Sequence, residues 1–463
     1  MRVLSGVVAG TFAGAAVVAV MIGPGFVNYD TLFNLSWGDQ VAHGENPVLA
    51  LPIAPTSKPL VIAAGSVLAP LGHAGQDVVT AGALFALGLL ATACFLLARH
   101  VSGRAAGIVA AAIVLTREPV LSFGVRAYID VPYAALVLLA VVVGLRRPAA
   151  FRLVLALLGL AGLLRPEAWL FSVAYVVVLA RTLGGRALVQ AVALAALAPG
   201  LWATSDLVLE GHPLFSLVGT RGNAEVLDRS TGIASAVTLA PRRLGEIVRE
   251  PVLLAATGGL LLCVRGRLPD GRAIVAALAT GMAAFAVLAA AGMPVLGRYL
   301  LLVATIVIVL AAIGAVEGVR LAWGGDRRWA AYVAAVLVCA LASSSAQTER
   351  LDRLRGTIRA QAVIADDLHA LADGGALSAC ARLRAPNHRL RPMLAAWLHR
   401  PPESVAAGGP IEGVAVLPAT RRVARLFILD PRDRVPTTDA PLAGTREAEA
   451  NRSWRVVARC PTG

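Results

Sequence analysis

Ionisable side chains occur inside or at the ends of several apolar stretches of this chain, where an unneutralised charge is costly. They include both acids and bases, so together they could form a polar site in which carboxylates move protons and cations bind anions. The residues concerned are Asp30, Lys58, Arg117, Glu118, Arg126, Asp130, Arg165, Glu167 and Arg298. Lys58 is the single lysine among 42 basic residues, which points to a need for its ammonium group.

The composition indicates what kind of protein positions these residues. Of 463 residues, 57% are hydrophobic and 15% are charged, and the mean hydropathy is +0.73. Soluble proteins carry about 25% charged residues. The composition therefore excludes a cytosolic enzyme, a disordered chain and a fibrous repeat, and predicts a polytopic α-helical membrane protein. The net charge of +14 is spread over loops without basic runs, so nucleic acid is not a predicted partner.

Eleven apolar runs predict eleven membrane spans, with the N-terminus inside and the C-terminus outside. The runs are 5–27, 77–98, 105–122, 127–144, 151–164, 168–183, 187–204, 251–264, 273–292, 298–316 and 328–344. In this layout the inner side carries 14 basic and three acidic residues, whereas the outer side of 1–344 carries 10 basic and 13 acidic residues. The positive-inside rule therefore supports the orientation, and the chemical candidates fall on the outer side.

Four further segments complete the layout. Segment 59–71 is apolar but shorter than the ~20 residues that cross a bilayer, so it is predicted to be re-entrant or interfacial. The predicted transmembrane domain is 1–344, with a first outer loop at 28–58 and a long one at 205–250. The remaining segment, 345–463, has ordinary globular charge density and is predicted to be a small extracytoplasmic α/β domain.

Within 345–463, a helix is expected near 347–372, and strands are expected at the runs VAVL (414–417) and ARLFIL (424–429). Cys380 and Cys460 both lie in this outward segment. In an oxidising compartment they are expected to form a disulfide, with two free thiols as the alternative.

The order of several motifs resembles the GT-C superfamily of membrane glycosyltransferases, close to the protein mannosyltransferase and aminoarabinose transferase branch and to its actinobacterial members. These motifs are Asp30 after span 1, Gly44–Pro47, Lys58-Pro59-Leu60, Asp130 and Arg298-Tyr299-Leu300. The resemblance covers about residues 5–316. The chain departs from the pattern at Thr31, where relatives often have Glu, and at Leu60, where they have a second Pro.

The resemblance implies an enzyme of the plasma (inner) membrane that moves a hexose or pentose from a polyprenyl-phosphate donor to an acceptor hydroxyl on the outer face. The acceptor is a glycan, a lipid or a protein, and direct displacement would invert the anomeric centre. Asp30 would be the catalytic base, and Lys58 and Arg298 would bind the donor phosphate. Asp130, Arg165, Glu167 and Tyr299 would orient the substrate. No cofactor is obligatory, and a divalent metal stays open although no residue spacing indicates one.

Three of these residues also have purely structural interpretations. Asp30 could cap a helix that begins near Thr31, because Asp is a favoured N-cap residue. Lys58 could be a residue at the membrane interface whose stem lies in the bilayer and whose ammonium group reaches water. Arg298 could simply anchor the chain among the lipid headgroups.

Structural interpretations are equally open for the other charged candidates. Asp130 could cap a helix or pair with Arg126, and Arg165 and Glu167 could form a local ion pair at a helix break. Two other functions also remain open at this stage. The chain could be a transporter or lipid flippase, or a non-catalytic assembly subunit of the cell envelope.

Overall fold

The structure, a computed structural model, describes residues 2–378, 380, 382–428 and 445–459. It is mostly helical, with one small sheet near the C-terminus. The helices are α1 (Arg2–Met21), α2 (Tyr29–Ala42), α3 (Pro59–Leu68), α4 (His73–Ser102), α5 (Arg104–Thr116), α6 (Glu118–Val125), α7 (Asp130–Arg146), α8 (Phe151–Leu164), α9 (Glu167–Leu179), α10 (Gly185–Glu210), α11 (Phe215–Val226), α12 (Gly232–Val248), α13 (Glu250–Val264), α14 (Gly271–Ala290), α15 (Leu301–Trp323), α16 (Arg327–Ala342), α17 (Ser344–Asp373) and α18 (Arg391–Trp397). The strands are β1 (Leu383–Ala385), β2 (Val405–Ala407), β3 (Gly413–Pro418), β4 (Arg446–Ala450) and β5 (Trp454–Arg459).

Each of the eleven apolar runs coincides with a helix or a pair of helices. Within the described residues, four helices are long and apolar enough to cross a membrane: α4, α10, α14 and the segment Gly297–Trp323. The number rises to seven if each bent pair is one span. The pairs are α5 with α6, bent by 65°, α12 with α13, bent by 106°, and α16 with α17, bent by 44°. The protein is thus a helical membrane protein, while the predicted count of eleven spans and the orientation remain predictions.

Proline marks two of these bends. Pro119 and Pro251 are the second residues of α6 and α13. A proline has no backbone N–H to donate, and its ring clashes with the carbonyl four residues earlier, so the preceding helix cannot continue through it, whereas the first turn of a new helix tolerates it. Segment 59–71 forms α3 and a short 3₁₀ turn. At 1.5 Å per residue, α3 is about half as long as the hydrocarbon core is thick, in keeping with the prediction that it does not span.

The chain divides into two compact units. Unit 1 comprises Met1–Pro24, Thr80–Trp202 and Ser230–Leu354, and unit 2 comprises Gly25–Val79, Ala203–Arg229 and Arg355–Gly463. Unit 2 therefore contains the predicted first outer loop and part of the second together with most of the C-terminal segment. The predicted outer loops contain much helix, with α2 inside 28–58 and α11 and α12 inside 205–250.

Unit 1 is centred on α15. Residues 301–313 of this helix are each at most 6% exposed, because α5, α7, α13, α14 and α16 pack around it. The most extensive of these contacts is with α13. A Cβ atom on Gly259 would lie 2.0 Å from the carbonyl oxygen of Leu310, so only glycine allows the two backbones to approach this closely.

Unit 2 contains the five-stranded sheet. It also contains α2, which packs against α3. The strand order is β2-β1-β3-β5-β4, with β1 parallel to β2 and β3, and with β5 antiparallel to β3 and β4. The predicted helix near 347–372 corresponds to α17, and the predicted strand at 414–417 corresponds to β3. The predicted strand at 424–429 is wrong, since residues 424–428 form a π-helical turn; Leu429 lies outside the described residues. Short apolar runs do not distinguish strand from helix, which explains this error.

Candidate functional site

Asp30 lies in the first turn of α2 in unit 2, but it does not cap the helix. The N-cap is Asn28, whose side-chain oxygen accepts hydrogen bonds from the backbone N–H groups of Asp30 (2.9 Å) and Thr31 (3.2 Å). The capping interpretation of Asp30 is therefore wrong. Its carboxylate instead occupies the end of the helix where the dipole favours negative charge, and the residue is partly exposed.

Asn34 joins the backbones of Asp30 and Lys58. Its side-chain amide donates to the Asp30 carbonyl (2.8 Å), and its side-chain oxygen accepts from the Lys58 N–H (2.6 Å). Asn34 is only 1% exposed, so this bridge is made in the protein interior, where hydrogen bonds are strong. Two residues 28 positions apart in the sequence are thereby held next to the same amide.

The segment before Lys58 is anchored by a buried carboxylate on α10. Asp206 is 1% exposed and accepts hydrogen bonds from the hydroxyls of Ser57 (3.1 Å) and Ser216 (2.6 Å). Its second oxygen accepts from the Ser216 N–H (2.9 Å). Three hydrogen bonds thus converge on this one buried carboxyl group. Lys58 follows directly, at the start of α3, where it is half-buried.

Arg165, in unit 1, is the centre of a buried charge triad. Its guanidinium donates to Asp130 at the start of α7 and to Glu167 at the start of α9, with an Nε–Oε1 distance of 2.9 Å to Glu167. The three side chains are at most 8% exposed. The local Arg165–Glu167 pair expected at the helix break is therefore present. Asp130 pairs with Arg165, and the Arg126 guanidinium donates to Ser122.

The Arg298-Tyr299 motif packs onto this triad. The Arg165 guanidinium lies 4.1 Å from the centre of the Tyr299 ring, and the Arg298 guanidinium lies 5.7 Å from the same ring. Arg298 also lies 5.3 Å from the centre of the Tyr128 ring. Aromatic rings attract cations at these distances. Arg298 is thus held by aromatic contacts within unit 1.

The structure groups the candidate residues into two sets. Asp130, Arg165, Glu167, Arg298 and Tyr299 form one cluster in unit 1. Asp30 and Lys58 are joined through Asn34 in unit 2. That the two sets act on one substrate remains a prediction.

Sequence reasoning missed several residues that these sets depend on. Asn34 and Asp206 carry the hydrogen bonds around Asp30 and Lys58, and Tyr128 contacts Arg298. A signal existed for Asp206, which is a carboxylate within a helix that is otherwise largely apolar. Asn34 gave no such signal, because an amide in a polar stretch such as α2 is unremarkable.

Metal and disulfide chemistry add no further residues to the described site. Among the described residues, no three His, Cys, Asp or Glu side chains are grouped so that they could hold a metal ion. Cys94, Cys263 and Cys339 are free thiols. The predicted bond between Cys380 and Cys460 involves a residue, Cys460, that lies outside the described part of the chain, so this bond remains a prediction.

This chain shares its fold with ArnT, which confirms the predicted resemblance at the level of the fold. It is similar to ArnT from Cupriavidus metallidurans in the apo state, with a TM-score of 0.61 and 13% identity, over 99% of this chain and 98% of that one. It is also similar to ArnT from the same organism bound to undecaprenyl phosphate, with a TM-score of 0.55 and 13% identity, over 97% of each chain.

Other comparisons add little to this result. The apo oligosaccharyltransferase of Archaeoglobus fulgidus gives a TM-score of 0.48 at 13% identity, over 85% of this chain and 64% of that one. A likeness at that level carries no argument about this chain. No protein-family model and no curated protein sequence matches.

Proposed function

We propose that this protein is a membrane glycosyltransferase that moves a sugar from a polyprenyl-phosphate donor to an acceptor hydroxyl at the outer face of the plasma membrane. The observation that carries the proposal is the likeness to ArnT, which covers at least 97% of this chain and of ArnT. One of the two ArnT structures is bound to undecaprenyl phosphate. Two clusters of acids and bases in otherwise apolar surroundings support it, because such groups are costly unless they have a function.

The reaction needs one proton acceptor and one anion-binding group. Asp30 takes the proton of the acceptor hydroxyl, whose oxygen forms a bond to the anomeric carbon of the sugar. The bond from that carbon to the phosphate oxygen breaks, and the electron pair leaves with the lipid phosphate. Lys58 and Arg298 stabilise the charge on that phosphate. A lipid phosphate is a stable leaving group, so a metal is not required, and direct displacement inverts the anomeric centre.

The triad has a positioning role in this scheme. Arg165 is already neutralised by Asp130 and Glu167, so it holds the Tyr299 ring rather than the donor phosphate. Tyr299 in turn contacts Arg298. The triad thus orients the substrate through the Arg-Tyr motif.

The test is sugar transfer by purified protein from radiolabelled polyprenyl-phosphate sugars, with each donor assayed against glycan, lipid and protein acceptors. We expect Asp30→Asn to lower kcat by at least 100-fold, because a general base typically contributes 10²–10⁴-fold. Asp39→Asn is the matched control, since Asp39 is an exposed carboxylate on the same helix. Full activity in Asp30→Asn would exclude it as the base.

The phosphate-binding roles need their own variants. Lys58→Met and Arg298→Gln are expected to weaken the use of the donor, and Lys58→Arg is expected to retain part of it. Arg242→Gln is the control for Arg298→Gln, because its side chain is exposed and pairs with Glu246. A protein that transfers no sugar from any polyprenyl-phosphate donor, but moves such a lipid between leaflets of sealed vesicles, would be a flippase, and the proposal would be wrong.

A further inference from the structure

A groove in unit 1 lies outside both clusters described above. Its volume is about 760 Å³, within the range of roughly 300–1,000 Å³ typical of ligand sites. The walls are mostly apolar and come from α1, α4 and α5, with Gly6 and Val17 of α1, Ala91 of α4 and Leu115 of α5 among them. Nothing in the proposed transfer reaction uses this space, which we call the α1 groove.

The length of the α1 groove matches one leaflet of a bilayer. Its lining on α1 extends from Gly6 to Val17, and at 1.5 Å per residue this distance is about 16 Å. The hydrocarbon core of a bilayer is about 30 Å thick, so the groove spans about half of it. A Cβ atom on Gly6 would have no neighbour within 4 Å, which shows that the groove is open at this level. The length of the groove is therefore similar to that of a single phospholipid acyl chain.

One end of the α1 groove is cationic. Arg99 and Arg146 both line it, and they lie close enough together to repel each other electrostatically. Arg146 donates to the Leu96 carbonyl (3.1 Å), and the Arg99 guanidinium lies 5.9 Å from the centre of the Phe95 ring. In the described part of the chain, neither arginine has a carboxylate within ion-pair distance.

His100 lines the same end but does not add to this uncompensated charge. Its Nε2 atom lies 2.8 Å from a carboxylate oxygen of Asp270, which neutralises the imidazole when it is protonated. The guanidinium groups of Arg99 and Arg146, at the boundary of an apolar groove, therefore carry uncompensated positive charge. An anion placed between them would relieve their repulsion.

We propose that the α1 groove binds an anionic phospholipid, with its phosphate on Arg99 and Arg146 and one acyl chain along α1. Basic pockets between membrane helices bind anionic headgroups in this way. The depth of a single leaflet favours a phospholipid over a polyprenyl phosphate, whose tail is far longer than the groove. On the predicted orientation, this lipid belongs to the inner leaflet, because Arg99 and Arg146 lie on the inner side.

The test is titration of the delipidated, detergent-purified protein with phosphatidylglycerol or phosphatidylcholine of identical acyl chains, followed by native mass spectrometry. We expect one phosphatidylglycerol to bind more tightly than phosphatidylcholine. The double variant Arg99→Gln/Arg146→Gln should lose roughly 30-fold in affinity for phosphatidylglycerol. The double variant Arg147→Gln/Arg152→Gln is the matched control, because these two arginines are near in sequence but outside the lining, and it should bind like the wild type.

A second variant narrows the groove and leaves its two arginines in place. Gly6→Leu fills the groove without changing its charge, so it should weaken both lipids. Equal binding of the two lipids to the wild type would overturn the proposal, and so would equal losses in the two arginine double variants. Preferential binding of polyprenyl phosphate, with displacement of phosphatidylglycerol, would also overturn it. If the Arg99→Gln/Arg146→Gln variant does not fold, the comparison of lipids on the wild type and on Gly6→Leu decides.

Discussion

Replacement of Arg165 by methionine tests whether the charge triad stabilises unit 1. Methionine cannot carry a charge, so Asp130 and Glu167 would be left as two buried carboxylates without a cation between them. Removal of one partner from a buried ion pair costs about 3–5 kcal/mol. The contact with the Tyr299 ring at 4.1 Å is lost as well, so the expected loss lies in the upper part of that range.

The measurement is thermal unfolding of the purified protein in detergent, with intrinsic fluorescence as the readout. At about 2 °C per kcal/mol, a loss of about 4–5 kcal/mol means that Arg165→Met should lower the Tm by roughly 8–10 °C. The triple variant Asp130→Asn/Arg165→Met/Glu167→Gln should recover most of the loss, because it leaves no charge to bury.

Arg242→Met provides the control for a simple loss of charge. Arg242 pairs with Glu246, but its side chain is 76% exposed, and exposed pairs contribute about 0–1 kcal/mol. Its Tm should stay close to that of the wild type. A normal Tm in Arg165→Met, or a triple variant as unstable as the single one, would refute the reasoning about the triad.

Three further predictions concern caps, packing and pH. Asn28→Ala removes the cap of α2 and should lower the free energy of unfolding by about 1 kcal/mol, measured by chemical unfolding. Gly14→Ala should lower the Tm while Gly6→Ala leaves it unchanged, because a Cβ on Gly14 would lie 2.7 Å from a neighbouring backbone atom and one on Gly6 would meet nothing within 4 Å. Burial acts to raise the pKa of Asp367, but its hydrogen bonds and ion pair, chiefly with Arg452, outweigh this and hold the pKa below its usual range. The stabilisation is therefore complete above about pH 4 and is lost as the pH falls further, so the difference in Tm between the wild type and Asp367→Asn should shrink below pH 4.

The sequence was most informative about where helices form. Helices occur at all eleven apolar runs because a run in lipid must satisfy its backbone hydrogen bonds internally, and a helix does so with local contacts alone. Local signals also located the pair formed by Arg165 and Glu167, which are two residues apart. The same kind of signal was not enough for the α2 cap. Asn28 and Asp30 are both good capping residues, and only the backbone path decides which of them precedes the first turn.

Long-range partners required the tertiary structure. Asp130 has Arg126 nearby in the sequence, yet it pairs with Arg165, 35 positions away, because α7 begins where the break between α8 and α9 lies. Asn34 and Asp206 likewise matter only because packing brings Lys58 and Ser57 to them. The sequence by itself determined the helical membrane class and the residue types available for chemistry, since hydropathy and charge are properties of each position. Which charges neutralise one another was decided by the tertiary structure, because an ion pair depends on a few ångströms between atoms that the order of residues does not specify.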